Sequence, residues 1–590
     1  MSLNMKTNQI IIWMLAFILT LSTGMLTSCS NDDNTTETST LQDGEWTGSG
    51  EGRSGSIIVK LVVKDHRVEQ ATIVGQSESV FAQDAINDIV AKAIGRTDVM
   101  SVEVDGISGA TLTSTGVIDA INMALLTAMG KEKEKNNRYQ DETCDIIVVG
   151  AGGAGLSAAL AAAETNDNLN IVVLEKQGII GGNTNYSTGG INAAETDIQK
   201  ELGIEDSKQL FYDDTMQGGK QENIPSLVWN LVENAPATIS WLSGLGVDLT
   251  DVGLMGGSSA KRTHRPKSGA AIGPHLMKVL KTAISNKNIE IRTSNKVTGL
   301  LSAVDGSVTG VKVENADGST YTLKSSAVII ATGGFGANLA MVTRLQPSLS
   351  GFATLNHPGA TGDAFDWVTG IGGATIQMAN IQIHPTAEAT NHILITEAVR
   401  GNGAILVNNE GMRFCNEMNT RDVVSAAIIA QSKGQAFLIF DQGVRKSLAS
   451  IETYANQHLL WEGNTIPELA NFAGIPSDIL SESIRRYNAQ QKAGLDEDFG
   501  RSATQMPVAL ETPPYYAVCV KPAIHHTMGG LSVNTETQVL RADGTPIPGL
   551  YAAGEVTGGL HGANRLGGNG VADIVVNGRL AGLAASKNLK

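Results

Sequence analysis

Short apolar runs alternate with longer helical stretches along much of the chain, most legibly between residues 145 and 174. Residues 145–150 are apolar and too few for a helix, 156–164 are Ala-rich with helical character, and 171–174 form a second short apolar run. In that order they predict a βαβ unit. At the first turn stand Gly150, Gly152, Gly153, Ala154 and Gly155, which read G-x-G-x-x-G. Missing Cβ atoms there let a pyrophosphate approach backbone N–H groups at the positive end of a helix. Glu175 closes the second strand twenty residues after Gly155, placed to accept hydrogen bonds from a ribose diol, and Lys176 follows it. The glycines alone would be weak evidence; strand, glycines, helix, strand and acid in sequence predict dinucleotide binding.

The rest of the pattern divides the chain. Lys6 precedes an apolar run over 10–26, then Leu26-Thr27-Ser28-Cys29, which predicts an export signal over 1–29, with an uncleaved anchor as the alternative. Residues 30–45 are polar and read as a tether. Residues 46–130 predict a small α+β unit: strands 57–63 and 68–74 around a turn, a helix over 81–94, a strand over 101–104, and a helix over 117–129. Its Gly- and hydroxyl-rich turn at 105–111 suits a phosphate, though such a turn can equally be a plain helix cap. A charged linker, 131–141, leads into the dinucleotide unit, whose parts are 142–377 and 506–590. A second Gly-rich patch holds Gly182, Asn183, Thr184, Gly189 and Gly190, and a later strand ends at Gly333 and Gly334. Near the C-terminus another strand stops at Glu555, and Gly568 and Asn569 open the last helix. Between the two parts, 378–505 reads as an inserted α+β capping (clamp) domain. The fold class is α/β, a Rossmann-like domain with that insertion plus the small N-terminal α+β domain.

Composition narrows the chemistry. The formal charge of −16 and the lack of a basic run argue against nucleic acid. Cys29, Cys144, Cys415 and Cys519 are far apart and make no haem, zinc or iron–sulfur motif, so no metal site is expected and redox work falls to organic cofactors. Polar residues gather at His384, at Thr396, Glu397 and Arg400, at Arg421 and Asp422, at His525 and His526, and at Arg565. Singly, each reads as a core histidine or a surface ion pair; Arg421 would pair with Asp422 or Glu417. Together they predict a pocket at a domain interface.

Two resemblances extend this. Residues 105–111, DGISGAT, are similar to the flavinylation motif of FMN-binding domains, which implies FMN linked covalently to Thr111 by a flavin transferase. From about residue 144 onward the chain resembles the flavoprotein part of soluble, extracytoplasmic fumarate reductases of the flavocytochrome c type, which are FAD-dependent 2-enoate reductases. The motifs are IHPT, TEAVRGNGAILVN, RFCNEMNTRD, HHTMGG and AGEVTGGLHGANRLGGN. The resemblance implies FAD, with His384 and Thr396 on one substrate carboxylate, His525 and Arg565 on the other, and His526 near the flavin. It implies Arg421 as proton donor, with Glu397 and Arg400 as its relay to solvent. The residue types suit that chemistry: a planar guanidinium binds carboxylate bidentately, and a carbanion is basic enough to take an arginine proton that is promptly replaced. No histidine stands near Asn183 to link FAD covalently, and no haem stretch exists, so FAD is expected to be non-covalent and FMN to bring electrons. The donor would be a membrane quinol-linked or flavin-linked partner. Residues 26–29 resemble a lipobox, which implies lipid anchoring through Cys29 outside the cytoplasm. Urocanate, acrylate or cinnamate remain open as substrates, as does a lipid-tethered flavin electron carrier with no turnover of its own.

Overall fold

The computed structural model describes residues 40–51, 56–75, 83–100, 111–130, 139–315, 318–587 and 589. The expected export signal with Cys29, most of the tether, the strand at 101–104, most of the turn at 105–111 and most of the charged linker lie outside these residues.

Three separate apolar cores organise the described chain. The first belongs to the small N-terminal domain, where Gly44–Glu51, Ser56–Lys64 and Arg67–Gly75 form an antiparallel sheet backed by the helices Gln83–Ala93 and Thr111–Ala128. Asp65 and His66, both at positive φ, make the two-residue hairpin turn. Their N–H groups donate to the Asp43 carboxylate at 3.1 and 2.9 Å, which offsets the strain of that backbone. The strand Gly44–Glu51 is absent from the sequence reading because glycine lowers strand propensity. The structure needs its glycines: a Cβ on Gly48 or Gly50 would lie 2.1 Å from the carbonyl oxygens of Ala120 and Gly116 in the long helix.

The second core builds the nucleotide-binding lobe. Its six-stranded sheet runs in the order Ile289–Arg292, Ile171–Leu174, Ile146–Val149, Val328–Ile330, Pro546–Ala552, Gln538–Leu540, parallel except for the last pair. The central strands are buried on both faces, which explains their unbroken Val/Ile/Leu character. The expected βαβ unit is present as Ile146–Val149, Gly153–Thr165 and Ile171–Leu174.

The third core is the clamp, a sheet of Ile381–Glu388, Tyr515–Thr527, Ala436–Asp441 and Ile405–Val407, with Trp461–Gly463 on the side. Here the structure differs from the expected limits of 378–505. Tyr516, Ala517, Val518 and Val520 pack in the clamp core, whereas Ile524 of the same strand and Ile381 pack in the nucleotide lobe. The chain therefore changes lobes inside two paired strands. Each crossing holds a single proline, Pro385 in one strand and Pro522 in the other, but both lie inside continuous strands, and a hydrophobicity pattern has no signal for a change of core there.

Candidate active site

The G-x-G-x-x-G turn lines a cleft with an empty volume of about 890 Å³. Gly150 takes φ +107°, a conformation reserved for glycine, and the helix Gly153–Thr165 starts at the cleft wall, where the Gly153 N–H donates to Thr184 Oγ1 at 3.0 Å. Gly152, Gly153, Ala154, Glu175, Lys176, Gly182, Asn183, Thr184, Gly333 and Glu555 share the lining. Burial raises Glu175 above the usual carboxylate range, against N–H bonds from Gln177 and Ala151. Lys176 is held in the wall by Asp363 at 2.8 Å and Thr361 at 2.5 Å. Three expected cofactor residues do other work. A Cβ on Gly155 would sit 1.9 Å from Gly150 O, so this glycine packs the helix onto the turn, and Gly334 lies as tightly under Thr527. Asn569 is completely buried and joins Thr215 and Asn192, which fixes the start of the final helix.

Asn183, Thr184, Glu555 and Ile574 also line a second cavity of about 900 Å³, so the two spaces are neighbours along one wall. Here the lobe and the clamp bring together His384, Thr396, Glu397, Arg421, His525, His526, Arg565, Gly189, Gly190 and Gly568. The antiparallel pairing of Ile381–Glu388 with Tyr515–Thr527 sets the rings of His384 and His525 edge to face at 5.1 Å. Thr396 is fixed by its N–H, which donates to Tyr454 Oη at 2.9 Å. Arg421 opens the helix Arg421–Ile429, and its Nε donates to Glu397 Oε2 at 2.9 Å. Its Nη1 donates to Gln382 Oε1 at 3.1 Å, while Gln382 Nε2 donates to Arg565 O and Asn564 Oδ1, both at 2.7 Å. The plain ion pairs considered for Arg421 are not made: Asp422 pairs with Lys220, and Glu417 with Arg413 and Arg501.

Arg400 stands apart from the cavity. It is wholly buried, lies 3.9 Å from Glu397 and donates to the backbone carbonyl of Glu417. It is thus behind Glu397, as a relay requires, yet its own guanidinium does not reach solvent. Gln382, Tyr454, Met255 and the Gly256 amide were missed by sequence reasoning. Only Gln382 carried a signal: strand alternation puts it on the same face as His384.

The electrostatics favour an anion. Arg565 lies in the turn before the final helix; among the described residues no carboxylate pairs with it, its Nη1 donates to Leu566 O at 3.3 Å, and its Nε is buried without a partner. Burial, with the Arg421 charge nearby, pushes Arg565 down to about 9. Burial and the neighbouring arginines hold His384 and His525 well below their ordinary value, so both act as neutral donors near pH 7. Burial alone would raise Glu397, but Arg421 and Arg400 outweigh it and keep this carboxyl below its usual range. Glu555 is raised by burial toward its neutral form. In the cavity lining the guanidiniums of Arg421 and Arg565 face one firmly ionised carboxylate, Glu397, which leaves positive charge unanswered.

A pH dependence follows. Arg565 must be protonated to hold a carboxylate, and above its lowered value it loses the charge. The affinity for a non-reactive dianion such as malonate is therefore expected to fall as pH rises through about 9 and to stay level from about pH 6 to 8, where the neutral histidines do not titrate. Malonate titrations of the flavin absorbance across that range check it.

The residues of the first cleft fit a flavin dinucleotide. The positive end of the helix Gly153–Thr165 at the cleft suits a pyrophosphate, Glu175 suits a ribose, and Cβ positions on Gly182 and Gly333 meet nothing within 4 Å, leaving open room beside the backbone. Comparisons with known proteins agree. Residues 145–571 match the FAD binding domain family and residues 52–126 the FMN-binding domain family. The chain is 46% identical over 449 residues to the fumarate reductase (cytochrome) of Shewanella frigidimarina, covering 76% of this chain and 78% of that one. It is 35% identical to the urocanate reductase of Eggerthella lenta, over 92% of both chains. Among solved structures, the open conformation of a flavocytochrome c3 fumarate reductase superposes with a TM-score of 0.64 at 40% identity, covering 77% of this chain and 79% of that one. Fold and site define an FAD-dependent oxidoreductase that acts on carbon–carbon double bonds. The chain belongs to the FAD-dependent 2-enoate reductase family, in a form that also carries an FMN-binding domain.

Proposed function

We propose that this protein reduces fumarate to succinate. The observation that carries the reading is the buried excess of positive charge: Arg565 without a carboxylate partner and Arg421 beside it, in a cavity lined by neutral His384, Thr396 and His525. That set can clamp two carboxylates at once, which a dianionic alkene requires and a monocarboxylate does not. The relatives named as fumarate reductases support the choice.

When bound, reduced FAD supplies the hydride to one alkene carbon. The residues do the rest. His525 and Arg565 hold one carboxylate, and His384 with Thr396 holds the other and orients it. Fixed positive charge beside the second alkene carbon stabilises the electron pair left there as the π bond breaks. Arg421 donates a proton to that carbon, and Glu397, bonded to its Nε, takes up a solvent proton during the turnover and passes it to the neutral guanidine, so that arginine and carboxylate both return to their charged forms. Arg400 backs Glu397 and keeps it ionised between turnovers.

Electrons reach the lobe, in this reading, through FMN attached to Thr111, the first residue of the helix Thr111–Ala128. A flavin transferase installs it, a membrane quinol-linked or flavin-linked partner reduces it, FAD is non-covalent, and Cys29 anchors the protein by lipid outside the cytoplasm. Thr111→Ala is expected to remove all acid-stable flavin fluorescence from the denatured chain and to stop electron entry from the membrane donor. Fumarate reduction driven by a small reduced dye should persist; fluorescence retained in the variant would move the attachment elsewhere.

The function itself is tested by rates of reduced-dye oxidation with fumarate, urocanate, acrylate and cinnamate. Fumarate is expected to be turned over fastest. Faster urocanate turnover would replace the reading with that of the Eggerthella relative, which aligns over 92% of both chains.

A further inference from the structure

The two oxygens of Glu397 have different partners. Oε2 accepts from Arg421 Nε at 2.9 Å with Arg400 Nη2 3.9 Å away, whereas Oε1 accepts from the backbone N–H of Gly256 at 2.5 Å. Glu397 and Arg421 belong to the clamp. Gly256 belongs to the nucleotide-binding lobe, in the loop that follows the strand Asp251–Gly253. A Cβ on Gly256 would lie 2.8 Å from Glu397 Oε1, and 3.1 and 3.2 Å from the carbonyl oxygens of Asn419 and Met418. Only glycine lets this loop come so close.

The loop is held firmly from its own side. Ser259 donates its N–H and its hydroxyl to Asp214 at 2.8 and 2.5 Å. Asp214 pairs at 2.7 Å with the fully buried Arg262, which grips Asp206 through two nitrogens at 2.9 and 3.1 Å. The amide is therefore presented by a rigid support, while the carboxylate it meets arrives on another lobe. A further bridge, Lys220 Nζ to Asp422 Oδ2 at 2.7 Å, lies one residue from Arg421.

A carboxylate free to turn offers either oxygen to its neighbours. One whose Oε1 accepts an amide N–H is pinned, and an N–H aimed at that oxygen disfavours a proton on it. The Gly256 N–H stays on Oε1 throughout, whereas Oε2 loses its N–H partner once Arg421 has given up a proton and turns a bare nitrogen toward it; the proton that Glu397 then takes up rides on Oε2, facing the guanidine it must replenish. We propose that the Gly256 amide, presented by the nucleotide-binding lobe, is a positioning group for proton delivery that fixes the orientation of the Glu397 carboxylate on the clamp. This rests on the enoate-reductase reading of the cavity.

The test uses the flavin-loaded protein with Gly256→Ala, and Ser259→Ala as a milder release of the same loop. Gly256→Ala is expected to lower kcat for fumarate by about 10²-fold, the cost of a misplaced catalytic group. Its FAD content and malonate dissociation constant should change by less than about threefold, since uniform binding is untouched. The solvent deuterium isotope effect on kcat should rise in both variants as proton delivery becomes limiting, with about a tenfold smaller kcat loss for Ser259→Ala. If Gly256→Ala does not fold, Ser259→Ala decides. Lost kcat with an unchanged isotope effect, or a loss shared by malonate affinity and flavin content, overturns the proposal, because a merely structural loop would behave that way. A wild-type protein that reduces no unsaturated acid would sink the reading of the cavity instead, a separate failure.

Discussion

Arg421→Ala is expected to lower kcat for fumarate reduction by about 10³-fold or more, within the usual range for loss of a positioned proton donor combined with loss of fixed charge at the reacting carbon. FAD should stay bound, because Arg421 lines the second cavity and not the first. The guanidinium is held at both ends, by Glu397 through Nε and by Gln382 through Nη1, so alanine removes the acid and also leaves the Glu397 carboxylate without its nearest counter-charge. Truncating one partner of a buried pair costs roughly 3–5 kcal/mol. A clear fall in melting temperature is thus expected alongside the fall in rate. Arg421→Lys restores charge but neither the fork nor the reach to Gln382, and should recover only part of kcat. Single-turnover oxidation of the reduced protein by fumarate measures the step directly. Wild-type rates in Arg421→Ala would take the proton donor's role away from this residue.

The second large effect is expected from Arg565→Gln. Loss of a buried carboxylate anchor costs about 2–5 kcal/mol in complex formation, which is roughly 30- to 4,000-fold in kcat/KM for fumarate. Here stability should not fall with activity. Burial depresses Arg565 from its ordinary value, so the folded protein holds this proton less tightly than the unfolded chain does. A cation in that position costs stability at every pH below its folded value of about 9, and the cost disappears only as pH rises toward the unfolded value. A neutral glutamine removes the cost at neutral pH, so the unliganded variant is expected to melt no lower than wild type, and higher if the side chain packs well. Malonate, which should stabilise wild type strongly by mass action, should do little for the variant. A variant that melts well below wild type yet still gains from malonate would contradict the anchor role.

Much of the fold was legible because it is written in local patterns. The βαβ unit follows from two short buried runs around an Ala-rich helix, and the clamp from a long stretch of mixed signals without a nucleotide motif. The legible part of the site is its residue types: His384, Thr396, Glu397, Arg421, His525 and Arg565 do converge. The strand Gly44–Glu51 was hidden because its glycines, which read as loop, exist to let a helix backbone approach within contact distance. The clamp boundary was hidden because Tyr515–Thr527 is one unbroken strand whose two halves bury themselves in different cores.

By itself, the sequence determined where backbone must bend without a Cβ, which runs are buried, and which donors and charges are available to a substrate. Those are properties of single residues and their near neighbours, set by sterics and periodicity. Tertiary structure alone decided that Gln382 would tie Arg421 to the Arg565 turn, that Arg400 would lie behind Glu397 and out of reach of water, and that an amide of Gly256 would meet Glu397. Each of these joins side chains or backbone far apart in the chain, and such meetings depend on how two packed lobes fit together, which no local pattern encodes.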